Sequence, residues 1–416
     1  MAVRAPNLHQ ALRGFCLGGF RLLSADVEEG AEIPFAFEEH ASRGRPSLYE
    51  YRPLVKDYVE ARARRLRQLP DAVLALEELR REPAAAIFVR AHAESGLSEE
   101  EGLFRSVLLS MLEAAAEACG GFDWDDRAFD RAYGGLERSL FGEHRAYAAV
   151  APLVGLSLGR TLQLADGLRV RLAAAGELAA HWPQATNLLP QDFGREPDRL
   201  CVLELEQSLD AGSSAAPDAP GELADAVTAI RLATAGPVAA GPVLFERLDW
   251  RPLGIRPVLP IAAALPQGEP IRLDAVRGAL ARDVLERLGR ADEDPGLGEA
   301  LDRWELSLFQ PEPFRSEQLR EALGALLGGA DGLWAAALRA SLLLGETGRE
   351  RVEHLSGLKA LAAGEPATPA TAEAIRRALV ETVVHGDRPG LVEALDETLL
   401  GARSRPAGYV ARALAS

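Results

Sequence analysis

The sequence is short of several residue types, and each shortage excludes a class of protein. The three cysteines, Cys16, Cys119 and Cys201, are odd in number and far apart, which excludes a disulfide framework and a Cys-x-x-Cys metal site. No apolar run reaches the roughly 18 residues of a transmembrane helix, and the N-terminus MAVRAPNLHQ lacks a signal-peptide core. We therefore expect a cytoplasmic protein in a reducing compartment, without a membrane partner.

Lysine and asparagine are scarce as well. Lys56 and Lys359 are the only lysines beside 44 arginines, and asparagine occurs only at positions 7 and 187. GC-rich codons produce such a bias, so the arginine content by itself does not indicate RNA binding. We interpret the cluster VEARARRLRQL as the solvated face of a helix in preference to a phosphate-binding stripe. Its arginines are Arg62, Arg64, Arg65 and Arg67.

Length and charge limit the architecture. A chain of 416 residues exceeds the size that one hydrophobic core usually serves, so we expect two or three domains. The net charge of −16 is divided as −6, −5 and −5 over residues 1–145, 146–270 and 271–416. None of these regions is a basic arm or an acidic tail. Any contact with nucleic acid would therefore have to be a local patch.

Hydrophobic patterns predict an α-rich, multi-domain chain of the α+β class. Residues 1–145 are mostly helical, residues 146–270 form a small β-containing domain with proline-rich connections, and residues 271–416 form a helical bundle. Alternating apolar residues predict the strands of the middle region. They are a hairpin over Leu162–Leu172 with its turn at Ala165–Gly167, a strand at Leu200–Leu205 and a strand at Val243–Leu248.

Seven amphipathic helices with short connections are predicted in the last region, as in a helical bundle. Gly345, Gly386 and Gly401 mark helix ends, and Ser316 is suited to cap a helix N-terminus. The predicted helices are Asp274–Leu288, Gly298–Phe309, Ser316–Leu327, Gly332–Leu344, Arg349–Ala362, Thr371–His385 and Gly390–Leu400. Trp304 and Trp334 fall on apolar helix faces, which predicts core positions for both.

Most matches to catalytic motifs favour a structural explanation. The G-x-S-x-G pattern at residues 155–159 precedes a strand-like segment, whereas a nucleophile elbow needs a helix there. The aspartates 123, 125, 126 and 130 do not meet the spacing of a calcium loop, and a helix N-cap accounts for them. H-E-x-x-H, P-loop and G-x-G-x-x-G sequences are absent. We therefore expect neither a metal nor a cofactor.

The segment IRRALVETVVHG, residues 375–386, is the most informative stretch of the chain. It places His385 on the last turn of a predicted helix, directly before a glycine suited to the C′ position. A histidine at such a helix end is a candidate reactive residue, because its charge changes near neutral pH. Alternatively, His385 is a structural residue at the helix end, where its charged form interacts with the helix dipole.

The order of the C-terminal motifs resembles the HEPN superfamily, and more closely its Apea-like prokaryotic branch. ALDRWELSLF, LREALGALLGG, LRASLLLG and ETVVHG follow one another with short spacers. Residues 339–345, RASLLLG, match the second motif of that branch, and His385-Gly386 match the end of the third. The acidic residue of the first motif falls on Gly324. The family arginine lies five to seven residues before the histidine, whereas Arg377 lies eight residues before His385.

The resemblance implies metal-independent RNA cleavage in a homodimer cleft, with His385 in acid/base chemistry and Arg377 holding phosphate. A neutral imidazole can take the 2′-OH proton while a guanidinium stabilises the developing phosphorane charge. With two motif positions displaced, we expect an RNA-directed module with impaired ribonuclease activity, in prokaryotic defence or stress response. The alternative is a non-enzymatic helical scaffold that binds a protein partner.

Overall fold

We analysed the chain as a computed structural model, which describes residues 4–40, 48–82, 84–85, 89, 98–142, 144–174, 177–178, 201–210, 217–241, 243–249, 251–257, 266, 269–289, 293–406 and 408. These residues are mostly helical, with strands concentrated in the middle of the chain. The predicted fold class is confirmed to this extent. None of the described helices is long and apolar enough to cross a membrane.

The chain divides into two compact units, each assembled from three segments. Unit 1 contains residues 1–150, 172–217 and 243–257, and unit 2 contains residues 151–171, 218–242 and 258–416. The three consecutive regions of the sequence analysis do not coincide with these units, because the region 146–270 contributes strands to both.

Unit 1 is mainly a helical assembly. Its helices are α1 (Pro6–Glu28), α2 (Val55–Glu60), α3 (Ala63–Arg67), α4 (Pro70–Arg81), α5 (Glu99–Leu103), α6 (Ser110–Cys119) and α7 (Asp126–Phe141), and a π-helical segment Phe104–Leu109 joins α5 to α6. The strands β1 (Phe35–His40) and β2 (Leu48–Pro53) pair antiparallel. Large side chains such as Phe15, Leu66 and Phe129 are fully buried in one core.

Ion pairs neutralise most of the arginine cluster between α2 and α4. Arg62 and Arg65 both bind the nearly buried Asp26, at 2.6 and 2.7 Å, and Arg67 binds Glu100 at 2.8 Å. The two guanidinium groups hold the pKa of Asp26 below its usual range, chiefly by hydrogen bonding. These arginines therefore stabilise unit 1, and their pairing argues against a phosphate-binding stripe.

The aspartates of residues 123–130 begin a helix, as predicted. Asp125 accepts a hydrogen bond of 2.9 Å from the backbone N–H of Arg127 and so caps α7. Asp126 binds Arg13 at 2.7 Å. Capping and ion pairing thus account for the carboxylates of Asp125 and Asp126.

The predicted strands of the middle region are present in the structure. In unit 1, β3 (His144–Val154) lies between β7 (Cys201–Asp210) and β9 (Val243–Leu248), and β10 (Arg251–Pro257) pairs antiparallel with β9. In unit 2, β5 (Leu162–Ala165) and β6 (Leu168–Leu172) form the predicted hairpin, with Gly167 at φ 69° in its turn. A two-residue strand β8 (Ala239–Ala240) pairs with the end of β3.

Segment 155–159 forms no nucleophile elbow, in agreement with the sequence interpretation. Gly155 has φ 81°, and β4 (Leu156–Leu158) follows it. This strand pairs in parallel with β11 (Ile271–Leu273). The serine of the motif therefore lies in a strand, whereas the elbow requires a strained turn into a helix.

The C-terminal part of unit 2 contains the seven predicted helices, preceded by α8 (Ala219–Thr234). They are α9 (Ala275–Leu288), α10 (Pro295–Phe309), α11 (Phe314–Leu323), α12 (Gly332–Leu344), α13 (Gly348–Ala362), α14 (Pro369–His385) and α15 (Arg388–Leu399). Side-chain caps fix most of their N-termini: Asp274, Asp294, Thr347, Thr368 and Asp387 each accept a backbone hydrogen bond. The bundle itself is thus present, and its HEPN identity stays a prediction.

Three details of the bundle differ from the sequence interpretation. Trp304 is buried at 2% exposure, but Trp334 is 49% exposed and contacts Lys359, whose Nζ lies 5.4 Å from the ring centroid. The predicted core position of Trp334 is therefore wrong. Ser316 does not cap α11, since its hydroxyl binds Glu312 Oε2 at 2.6 Å. The helix predicted to reach Leu327 ends in a π-helical segment, Gly324–Gly328.

A buried ion pair joins α8 to α10. Arg231 Nη1 donates to Glu305 Oε2 at 2.7 Å, and Arg231 Nε donates to the carbonyl of Val238 at 2.7 Å. Both charged side chains are less than 5% exposed. Burial raises the pKa of Glu305, and the charge of Arg231 opposes that shift. This pair anchors the bundle to α8.

Candidate functional site

His385 is the last residue of α14, and the sequence around it accounts for its position. Thr368 caps the N-terminus of this helix by accepting a hydrogen bond of 3.1 Å from the Thr371 N–H. Gly386 follows the helix at φ 77°, a left-handed conformation that glycine adopts without a Cβ clash. The chain then enters α15 directly, with Asp387 as its N-cap. His385 thus lies at a sharp junction between two helices.

One hydrogen bond orients the His385 ring and selects its tautomer. His385 is exposed, and its Nδ1 lies 2.9 Å from the carbonyl oxygen of Asp387. Because a carbonyl oxygen can only accept, Nδ1 must carry the proton of this bond. In the neutral ring the lone pair is then on Nε2, which has no hydrogen-bond partner within the described part of the chain. Nε2 is therefore available as a proton acceptor.

An open depression of about 360 Å³ begins at the residue after His385. The turn from α14 into α15 supplies one wall, and the end of α9 and the start of α10 supply the other. Its lining residues are Arg287, Glu293, Asp294, Pro295, Leu297, Val383, Gly386, Asp387, Arg388 and Pro389. Two arginines and three carboxylates give the depression a mixed charge.

Arg388 is fixed in the wall of this depression by Asp294. Its Nε donates to Asp294 Oδ2 at 2.8 Å, and its Nη1 lies 3.4 Å from the carbonyl of Ala325. Burial tends to raise the pKa of Asp294, but the hydrogen bonds from Arg388 and from the backbone N–H groups of α10 outweigh it, so the pKa is lowered. The negative charge of Asp294 consequently offsets the positive charge of Arg388.

Arg377 lies away from His385. Eight residues separate them on α14, which corresponds to about 12 Å along the helix axis. Side chains on a helix all lean toward its N-terminus, so the lean does not close this separation. Instead, the charge of Arg377 acts on His354 of α13 and, after burial, is the second cause of its lowered pKa. The structure does not bring the two predicted site residues together within one chain.

The arginine of the RASLLLG motif has a structural role. Arg339 is 5% exposed and binds Asp396 of α15 through two hydrogen bonds of 2.7 Å. It also donates to Asp331 Oδ2 at 2.6 Å and to the carbonyl of Leu327 at 2.8 Å. All of these hydrogen bonds of Arg339 are therefore to groups within the bundle.

The position of the missing acidic residue is apolar. Gly324 begins the π-helical segment, and a Cβ added there would lie 3.2 Å from Leu333 Cδ2. A carboxylate at this position would face a leucine side chain. Within the described residues, no group of three or more His, Cys, Asp or Glu side chains is placed to hold a metal ion.

Sequence reasoning missed three neighbours of the predicted residues. Local sequence signals identify Asp387 and Asp294 as helix caps. These signals do not predict the contact of Asp387 with His385 or that of Asp294 with Arg388. His354 and Arg377 lie on adjacent helices and are 23 positions apart, so no local pattern connects the two. Comparison of this chain with protein-family models, with curated proteins and with solved structures finds no match.

Proposed function

We propose that the C-terminal bundle is a HEPN-like, RNA-directed module in which cleavage is impaired. The order of its helices and the placement of RASLLLG and His385-Gly386 at the ends of α12 and α14 support this proposal. A homodimer through the bundle and a role in prokaryotic defence or stress belong to the same proposal, and they rest on the resemblance alone.

The observation that carries the proposal is the state of His385. Its Nδ1–H is bound to the Asp387 carbonyl, so the neutral ring carries its lone pair on Nε2, which has no hydrogen-bond partner among the described residues. Nε2 can take the proton of an RNA 2′-OH, whose oxygen then attacks the adjacent phosphorus. The P–O5′ bond breaks, the imidazolium returns its proton through water to the leaving 5′ oxygen, and a 2′,3′-cyclic phosphate and a 5′ hydroxyl remain. This chemistry needs no metal ion.

The impairment follows from the arginines. Arg377 is about 12 Å from His385 along the helix axis, and Arg388 is engaged by Asp294 at 2.8 Å. A guanidinium free to stabilise the phosphorane is therefore missing beside His385 in the described chain. Loss of one such electrostatic contact typically lowers kcat by about 10²- to 10³-fold. We expect RNA binding with slow cleavage or none.

An assay of RNA binding and RNA cleavage in EDTA tests this function. We expect the full chain to retain single-stranded RNA and any cleavage to survive EDTA and disappear in His385→Ala. His144→Ala is the matched control, because His144 is an exposed histidine of unit 1. A protein that neither retains nor cuts RNA would overturn the proposal. Cutting that persists in His385→Ala would remove His385 from it.

A non-enzymatic scaffold is the second candidate, and two exposed apolar side chains of the bundle support it. Trp334 on α12 is 49% exposed, and Val352 on α13 is 67% exposed. Large exposed apolar side chains often mark protein interaction sites. Trp334→Ser would lower the affinity for a protein partner and leave RNA retention unchanged. Loss of RNA retention in this variant would instead assign Trp334 to RNA binding.

A further inference from the structure

Four arginines of unit 2 have no ion-pair partner in the described part of the chain. Arg160, Arg272 and Arg282 are exposed, and Arg277 is half-buried. The arginines of the VEARARRLRQL cluster differ in this respect, since three of them bind carboxylates at 2.6 to 2.8 Å. A guanidinium is protonated at any physiological pH. The four arginines of unit 2 therefore keep their positive charge at the surface.

The turn after β4 brings Arg160 and Arg272 together. β4 and β11 pair in parallel, so the residues that follow β4 lie beside the end of β11. A Cβ added to Gly159 would lie 3.6 Å from Arg272 Nη2, and Arg160 is the next residue. Arg277, in the first turn of α9, donates from Nη1 to the Arg272 carbonyl oxygen at 2.6 Å. These three arginines therefore occupy one region of the surface.

Arg282 joins this group from further along α9. Its Nη2 donates to the carbonyl oxygen of Gln163 at 3.0 Å, and Gln163 lies three residues after Arg160. The helix packs directly on β5, since a Cβ added to Gly278 would lie 3.2 Å from Leu162 Cδ1. The four side chains are therefore grouped around the start of β5. The arginine patch that these contacts define consists of Arg160, Arg272, Arg277 and Arg282.

Each arginine of the patch keeps N–H groups for a further acceptor. A guanidinium has five N–H donors, and Arg277 and Arg282 each use one nitrogen for a backbone carbonyl. The side chains of Arg160 and Arg272 donate no hydrogen bond to a described residue. Carbonyl groups hold two of the guanidinium groups in place without cancelling their charge.

The closest carboxylates do not neutralise the patch. Asp274 caps α9 by accepting a hydrogen bond of 2.9 Å from the Arg277 N–H. This bond, and then the charges of Arg277 and Arg272, lower the pKa of Asp274. Glu286 follows on α9, where its Oε2 lies 3.8 Å from Arg287. Four arginines against the one carboxylate of Asp274 leave three positive charges at the centre of the patch.

Other carboxylates of this region lie at its edges. Asp166 is in the hairpin turn at the far end of β5, about 10 Å along the strand from the carbonyl that binds Arg282. Glu269 precedes Arg272 by three residues, again about 10 Å along an extended chain. Asp283 is the neighbour of Arg282 in sequence, and adjacent residues of a helix do not face each other. These carboxylates border the arginine patch.

Helix α9 connects the arginine patch to the candidate site. Arg277 lies in its first turn, and Arg287 near its C-terminus lines the depression that begins at the residue after His385. The helix contains 14 residues, which corresponds to about 20 Å. The patch and the candidate site therefore lie at opposite ends of one helix, in the same unit.

We propose that the arginine patch binds the phosphate backbone of RNA, at a distance from His385. Guanidinium groups bind phosphate oxygens through paired N–H donors. A nucleic-acid backbone presents a series of phosphates, which suits four arginines on three separate elements. Such contacts position the strand without reading its sequence. The inference rests on the proposed RNA-directed function, because it names the surface that holds the RNA, but it does not depend on the acid/base chemistry of His385.

The salt dependence of RNA binding by the full chain tests the patch. The probe is a fluorescently labelled single-stranded RNA of mixed sequence. Each phosphate neutralised on a single strand contributes about 0.7 to the slope of log Kobs against log salt concentration. We expect the slope to fall by about 0.7 in Arg272→Gln and by about 1.4 in the double variant Arg160→Gln/Arg272→Gln. At about 0.1 M salt, each substitution should lower the affinity about fivefold.

Matched variants separate the patch from general effects. Both substituted side chains are exposed and donate no hydrogen bond to a described residue, so the variants should stay folded. Arg272→Lys keeps the charge and should keep the slope. Arg315→Gln is the control, because Arg315 is an exposed arginine of α11 in the same unit. An unchanged slope in the double variant would overturn the patch and leave the RNA-directed function standing, whereas a wild type that retains no RNA would overturn both.

Two further measurements define what the patch recognises. His385→Ala should retain RNA with the slope of the wild type, because the patch lies at the other end of α9. Loss of retention in His385→Ala, with normal binding in the double variant, would overturn the patch. Polyglutamate of equal charge should displace the RNA only weakly. Equal displacement by the two polyanions would assign the patch to acidic chains in general and overturn its assignment to RNA.

Discussion

Arg339 donates two parallel hydrogen bonds to Asp396, from Nε to Oδ1 and from Nη2 to Oδ2, each 2.7 Å long. The pair joins α12 to α15 across 57 positions of sequence. Three further bonds connect Arg339 to Asp331 and to the carbonyls of Leu327 and Gly328, at the end of the π-helical segment. The hydrogen bonds that Arg339 donates to Asp396 and Asp331 raise its pKa, which keeps the guanidinium charged. One buried side chain thus holds three parts of the bundle together.

Arg339→Lys should destabilise the bundle although it keeps the charge. A lysine cannot form the planar two-bond contact with Asp396 and reach Asp331 as well. We expect the free energy of unfolding in urea to fall by about 2 to 4 kcal/mol. Arg303→Lys is the control, because Arg303 binds Glu299 on an exposed helix face and should lose no more than about 0.5 kcal/mol. Equal losses in the two variants would contradict the structural role of Arg339.

Gly386→Ala should destabilise the junction that presents His385. Gly386 has φ 77°, where a Cβ costs about 1 to 2 kcal/mol. Gly289→Ala is the matched change, since Gly289 has φ −56° and open space around the added Cβ. We expect it to leave the free energy of unfolding unchanged or to raise it slightly. Gly386→Asn should fall between the wild type and Gly386→Ala, because asparagine tolerates the left-handed conformation.

Below about pH 6.5, the unperturbed pKa of histidine, protonation of His354 should lower the free energy of unfolding. Burial and then the charge of Arg377 lower the pKa of His354 in the folded protein. The unfolded chain therefore binds a proton at a higher pH than the folded chain does. Stability that is present above the unfolded pKa is lost as the pH falls toward the folded pKa. We expect His354→Gln to lose less stability than the wild type between pH 7 and pH 5.

Urea unfolding at several pH values measures this effect. The informative quantity is the difference in unfolding free energy between wild type and His354→Gln at each pH, since the carboxylates contribute equally to both. His144→Gln, at a 61% exposed histidine, is the matched control for the substitution itself. A difference that stays constant from pH 7 to pH 5 would show that His354 is not perturbed.

The sequence was sufficient to predict the bundle but not its long-range pairs. Apolar residues at helical spacing and clear end signals predicted all seven helices, because both are local properties. The bond between Arg339 and Asp396 joins positions 57 residues apart, and no local pattern contains it. The same limit applies to the buried pair of Arg231 and Glu305, which are 74 positions apart.

The candidate site was predictable in part for the same reason. The Val-Val-His-Gly sequence correctly predicted a helix end with a glycine in the left-handed conformation at position 386. The spacing of Arg377 from His385 also follows from helix geometry. By contrast, the bond from His385 to Asp387 depends on how the chain turns into α15. That Arg377 Nε lacks a hydrogen-bond partner among the described residues depends on what the adjacent helices present to it.

Substitution of the two tryptophans of the bundle tests which of them lies in the core and which on the surface. Trp304 is 2% exposed, so Trp304→Ala should lower the unfolding free energy by about 3 to 5 kcal/mol. Trp334 is 49% exposed, and its contact with Lys359 is worth no more than about 1 kcal/mol at an exposed position. Trp334→Ala should therefore cost about that amount or less in urea unfolding. A loss of several kcal/mol in Trp334→Ala would show that Trp334 is a core residue. The scaffold alternative would then lose the exposed side chain on which it depends.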